Sequence, residues 1–235
     1  MVETDKSLTA FLGSTNLPDL TDEDMALSLQ DHEDESPSLS GGVAYLSFSG
    51  KTGNYSLGRN KDDVDPEELF LLEPKSFIEG WICWKSNKPV ARIEWSLYQR
   101  KAQAVAKNDL EDFGPYRKNM GEGWRPLLGF GVMTTDGQAT PIKFTASSTS
   151  ACNSISDMFK QAKQRMQVSE PSMPIISFDS EPFTAQEQTN QKPLFPVESW
   201  VTRAAATAYF EGSLTLDELI EGKAPKKKRA RTKKK

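Results

Sequence analysis

Histidine is almost absent from this chain: His32 is the single one in 235 residues. Zinc sites built from Cys and His need several ligands, and Ser-His-Asp or Cys-His catalysis needs a histidine beside its nucleophile. His32 sits instead in a run of acids, so both classes are set aside. Cysteine is nearly as scarce. Cys83 and Cys152 are the two, too few for a disulfide framework, which fits a reducing compartment. Cys83 lies between two bulky residues and reads as core, not as a nucleophile. No apolar run approaches the ~20 residues that cross a bilayer, and the acidic start MVETDKSL has the wrong polarity for a secretory signal. The expectation is a soluble, cytoplasmic chain with no membrane contact, no metal and no cofactor.

One further absence decides a motif. Gly50-Lys51-Thr52 ends like a phosphate-binding loop, but that loop needs a glycine five positions before Gly50, where Tyr45 stands. No helical period follows Thr52 either. FSGKTGNYSLGR, 48–59, therefore reads as a β-hairpin whose tip is Gly50–Gly53.

What is present is an unequal division of charge. Residues 1–40 hold ten acids against Lys6 alone, a net of −9. Residues 223–235 hold nine Lys/Arg and no acid, while 41–222 carry 19 basic and 23 acidic residues, a net of −4. The chain thus reads as a nearly neutral body between an acidic arm and a basic tail. Mean hydropathy is −0.57, low enough that part of the length is expected outside any packed core.

Four segments are expected. Residues 1–42 form an acidic disordered arm, in which 19–35 is a candidate docking segment for a protein partner. Residues 43–202 form a β-rich globular domain, 203–222 a short helical linker, and 223–235 a basic disordered tail. Within the body, hairpins are expected around 50–53, 86–88 and 135–138. A long loop is expected over 101–123, and further strands at 174–178 and 194–201. Ile155, Met158, Phe159, Ala162 and Met166 make one apolar stripe at helical spacing after the caps Ser148-Thr149-Ser150. The fold class is mainly β with one amphipathic helix (α+β). The order of strands and helix over 77–202 matches an OB-like or related small β-barrel.

Three features point to nucleic acid. The tail residues Lys226, Lys227, Lys228, Arg229, Arg231, Lys233, Lys234 and Lys235 would neutralise phosphates and release counterions; the same run also suits a nuclear-import address if the host is eukaryotic. Aromatic and basic residues alternate around the first two hairpins, which suggests Tyr45, Tyr55 and Trp84 as stacking surfaces with Lys51 beside them. Buried rings are the competing reading, and GWICW cannot point both tryptophans the same way, because Trp81 and Cys83 share one face and Ile82 and Trp84 the other. Third, Ser147–Ser150 could seat a phosphate at a helix start, with plain capping as the alternative. Carboxylate chemistry rests on Asp65 and Glu73 alone.

The blocks SFSGKTGNYSLGRNKDD (47–63), EGWICWKSNKPV (79–90) and GWRPLLGFGV (123–132) resemble those of small phage proteins encoded among replication genes. The similarity runs over about 45–201 and leaves both charged arms outside. It implies a role with single-stranded DNA. The sequence thus leads to a non-enzymatic DNA-binding accessory protein of phage-type replication or recombination. The alternatives are a virion or scaffold component whose tail touches nucleic acid, and a magnesium-dependent nuclease.

Overall fold

Apolar and polar residues alternate from Ala91 to Ser96 in β6 (Lys88–Ser96), which pairs antiparallel with the largely apolar β5 (Ile78–Lys85) across a tight turn in which Ser86 and Asn87 both take positive φ. The same logic forms β1 (Ala44–Phe48) with β2 (Tyr55–Leu57), and β7 (Gly123–Thr134) with β8 (Pro141–Ala146). All three expected hairpins are present. The computed structural model describes residues 43–58, 60–117, 121–168, 172–185 and 188–222. The acidic arm, the basic tail and Arg59 lie outside the described residues.

The remaining strands are β3 (Asp62–Asp63), β4 (Phe70–Leu72), β9 (Ser172–Ile176), β10 (Asp179–Ala185), β11 (Gln188–Leu194) and β12 (Val197–Thr202). The helices are α1 (Arg100–Gln103), α2 (Thr149–Val168), α3 (Arg203–Phe210) and α4 (Leu216–Ile220). The main sheet runs β12-β9-β4-β7-β8-β1-β2-β3, with β5 and β6 branching from β7. β1 and β8 pair in parallel; the other ladders are antiparallel.

The branch arises because β7 is long enough for two partners on one edge. Its second half pairs with β4 and its first half with β5. Between them lies a 3-10 turn at Pro74–Ser76, where Glu73 N–H donates to the Gly131 carbonyl at 3.2 Å and Ser76 serves the Gly131 N–H. The Ser76 hydroxyl accepts from Gly131 N–H at 2.7 Å and lies 3.1 Å from the Gly131 carbonyl.

One sheet face packs α2. Ile155, Met158 and Ala162 meet Leu46, Phe70, Leu72, Phe130, Val132, Ile142 and Phe144, joined by Phe178 and Phe195 from the β9–β12 region. Each fully buried ring of this kind contributes roughly 2–3 kcal/mol through area removed from water. On the opposite face Leu71, Met173, Ile175 and Val201 pack under α3 and α4 through Ala205, Ala206, Leu214 and Leu219. Within 203–222, Arg203–Phe210 and Leu216–Ile220 are helical, and the segment belongs to this second core. The helix starts are sequence-coded: Thr202 caps α3, and Thr215 with Glu218 makes a capping box on α4.

The expected barrel is not closed. β6 pairs only with β5, and β3 ends the path at the other side. The sheet nevertheless curls. Lys143 on β8 and Glu94 on β6 are three strands apart, at least ~14 Å in a flat sheet, yet they form an ion pair at 2.5 Å. Bending falls at Gly80 and Gly129. A Cβ at Gly80 would overlap the Ile93 carbonyl oxygen, and one at Gly129 would lie 2.5 Å from the Phe144 carbonyl oxygen.

Candidate nucleic-acid interface

Gly50-Lys51-Thr52 is the tip of a hairpin, held by backbone contacts. Gly53 N–H donates to the Ser49 carbonyl at 2.8 Å and Thr52 N–H to the Ser49 hydroxyl at 3.3 Å, which closes a turn. Gln191 N–H then donates to the Gly50 carbonyl at 2.8 Å, docking this tip on the β10–β11 hairpin. Gly53 has φ +81°, and a Cβ there would overlap the Ser180 hydroxyl. The glycines serve close packing between two hairpins. Lys51 is exposed at this tip.

The aromatic candidates divide. Tyr55 is buried: its ring packs on Phe48, Phe144 and Phe178, and its hydroxyl donates to the Asp179 carbonyl at 2.9 Å. Burial pushes that phenol well above its usual pKa, though the Leu194 carbonyl partly offsets it. Tyr55 is thus a core strut and cannot meet a base. Trp81 and Trp124 are anchored too, donating to the carbonyls of Val105 at 2.9 Å and Glu111 at 2.7 Å in the 101–117 loop. Cys83 is fully buried, and its thiol lies 3.6 Å from the Tyr116 hydroxyl; burial raises the pKa of both groups, the tyrosine's to about 12.

Tyr45 is 39% exposed. The register places it beside Lys143, on the face away from α2. Trp84, half-buried, falls on that same face through its pairing with Gly123. Two of the three ring candidates therefore lie on one face of the sheet, towards opposite ends of β7, although they are 39 residues apart in sequence.

Three cations and one carboxylate accompany them. Glu94 is paired with both Lys143 and Arg92, and the three side chains are 21–26% exposed. Burial pushes the Glu94 carboxyl up, but Lys143 and Arg92 together hold it below the ordinary range. Arg125, paired with Ile82 in the ladder, is exposed on the same face. The alternation of Arg92, Glu94 and Ser96 opposite Ile93 and Trp95 was legible in the sequence. Lys143 was not, because it stands between Ile142 and Phe144 with nothing local to mark it.

The first turn of α2 is capped in the ordinary way: Ser148 Oγ accepts from Ala151 N–H at 3.4 Å. A groove of about 680 Å3 does open there, between Thr149, Ser150, Asn153 and Asp157 and the hairpin residues Phe183 and Lys192. Its charges are matched in pairs, Lys192 with Glu181 and Lys160 with Asp157.

Both nuclease carboxylates have structural partners. Asp65 accepts from Glu67 N–H at 2.9 Å, and Glu73 accepts from Lys75 N–H at 3.0 Å while pairing with Arg203. Among the described residues no cluster of three His, Cys, Asp or Glu side chains is arranged to hold a metal ion. No described helix is long and apolar enough to cross a membrane.

No family model and no solved structure matches this chain. Homoserine O-acetyltransferase of Moorella thermoacetica is 34% identical to it over 83 residues, which is 34% of the chain. The chain spans about a fifth of that relative's length (21%). A similarity of that extent shows no family.

Proposed function

We propose that the chain is a non-enzymatic DNA-binding accessory protein that favours single strands, attached through Lys226–Lys228, Arg229, Arg231 and Lys233–Lys235. The observation that carries the reading is the partition of charge: nine cations and no acid in 223–235, against a body of net −4 and an arm of net −9. A cationic tail of this kind binds a polyanion through counterion release, without sequence preference and with steep salt dependence. Tyr45 and Trp84 on one curled face add ring surface for unpaired bases. The OB-like description belongs to this proposal, as a comparison between that curled face with its one amphipathic helix and a small barrel.

The setting, phage-type replication or recombination in the host cytoplasm, rests on the resemblance of the 47–63, 79–90 and 123–132 blocks. In a eukaryotic host the same tail would direct the protein to the nucleus. The arm acts on the tail in this reading. Tethered to the same chain, residues 19–35 compete with DNA for the basic cluster at high effective concentration.

The test is fluorescence anisotropy of single- and double-stranded oligonucleotides against full-length protein. Binding of single strands ahead of duplex supports the proposal. Large particles forming without DNA would favour the virion or scaffold alternative, and magnesium-dependent cutting lost in Glu73→Ala would favour the nuclease.

A further inference from the structure

We propose that bound single-stranded DNA crosses the body on the concave face opposite α2, with a base against Tyr45 and phosphates at Lys143 and Arg92, and that Glu94 is the internal anion it displaces. The inference rests on the DNA-binding reading and deepens it by placing a second contact on the body.

Beyond the second core the face is partly open: Tyr45 is 39% exposed and Lys143, Arg92 and Glu94 are 21–26% exposed, above a floor in which Ile82, Leu127 and Met133 are buried. α3 and α4 pack over Leu71, Met173, Ile175 and Val201, at the β12-β9-β4 end of the sheet. From β7 outward through β8 and β1 the same face carries Lys143 and Tyr45, with Arg92, Glu94 and Arg125 facing them from the curled β5–β6 branch and the start of β7. Three cations against one carboxylate leave a local excess of two positive charges on a body whose net charge is −4. Asp63 on β3 bounds that region at the far edge.

Lys143 and Glu94 are in direct contact across the curl, so the contacting DNA strand lies over the ion pair and not between its partners. Gly129 lets the β-strands close here, because the Phe144 carbonyl oxygen and the Thr145 and Ile78 side chains already fill the space over it, so a bound DNA strand lies above this floor. The ring at the rim is 39% exposed, as a stacking surface must be.

Glu94 gives the site its particular signature. In the free protein its carboxylate occupies both cations, in the position a phosphodiester would take. Binding exchanges one anion for another, so this contact is weak beside the tail and depends on the competing carboxylate. Removing that charge should strengthen binding by more than neutralising a carboxylate remote from this face does.

The experiment uses the full chain with a thymine-rich oligonucleotide carrying 5-bromodeoxyuridine, photo-crosslinked and mapped by mass spectrometry, with anisotropy on three variants. The expected adduct is at Tyr45. Glu94→Gln should tighten binding about threefold to tenfold and steepen the salt slope by about one. Tyr45→Ala should weaken binding about fivefold or more. Arg125→Gln, which leaves the ion pairs untouched, should reduce the slope by about 0.7 and keep the result interpretable if Glu94→Gln folds poorly. Adducts confined to the tail, with Glu94→Gln and Arg125→Gln both neutral, would overturn the face while leaving the DNA-binding reading intact. Absence of any binding would remove both. Shielding of Tyr45 that rises with protein concentration in the absence of DNA would assign the face to a second copy of the chain and overturn the proposal.

Discussion

Glu73 and Arg203 form an ion pair in which one guanidinium nitrogen lies 2.7 Å from each carboxylate oxygen. Glu73 is 2% exposed and caps the turn between β4 and β5, while Arg203 opens α3, so the pair ties the branch point of the sheet to the second core. A carboxylate this deep cannot be left alone without cost.

Arg203→Met should therefore destabilise the protein by about 2–3 kcal/mol, at the low end for a buried pair because Arg203 keeps some solvent contact. Urea unfolding measures it. A change under about 0.5 kcal/mol would mean that Glu73 is held by its backbone donor alone.

Tyr55→Phe removes one hydroxyl that donates to the Asp179 carbonyl, at the start of the β10–β11 hairpin. The expected loss is about 1–2 kcal/mol, with faster amide exchange in that hairpin. Oligonucleotide affinity should not change, since the ring is buried. A Tyr55→Phe protein that folds normally but binds DNA less well would contradict its placement as a core strut.

Glu122 gives a pH signature. Arg117 and the backbone N–H groups of Arg117 and Ser86 donate to its carboxylate and hold its pKa down to about 2. The folded value lies below the unfolded one, near 4.3. This contribution is thus complete above that value and lost as pH falls towards 2. The amide resonances of Ser86 and Arg117 should move with a midpoint near pH 2, and Glu122→Gln should abolish the movement. A midpoint near 4.3 in the wild type would show the contact absent in solution.

Deleting residues 1–40 should tighten DNA binding at low salt by removing the competing arm, with the gain fading as salt screens the attraction. Isothermal or anisotropy titration at two ionic strengths decides it. Unchanged affinity would remove the autoinhibitory role.

Local features were readable and distant ones were not. The hairpin at Gly50–Gly53, the Ser86-Asn87 turn and the apolar stripe of α2 follow from residues within a few positions of one another. Tyr45 and Tyr55 looked alike in sequence, because the hydroxyl partner that buries Tyr55 is the carbonyl of Asp179, 124 positions away. The β10–β11 ribbon went unread because Pro182 and Pro193 interrupt any strand pattern; they are tolerated in a two-stranded ribbon, where each strand has a free edge. Tyr45 and Trp84 came to one face only through the parallel β1–β8 pairing and the curl at Gly80 and Gly129, which no local period encodes. The charged arms were legible as composition, and they lie outside the described residues.

The salt dependence of single-strand binding, compared between the full chain and a version ending at Gly222, tests the central claim most directly. If all nine tail cations engage, log affinity should fall with log salt at a slope of about −6, and truncation should flatten that slope to about −2 or less. Equal slopes for the two proteins, or no affinity for any oligonucleotide at low salt, would contradict it.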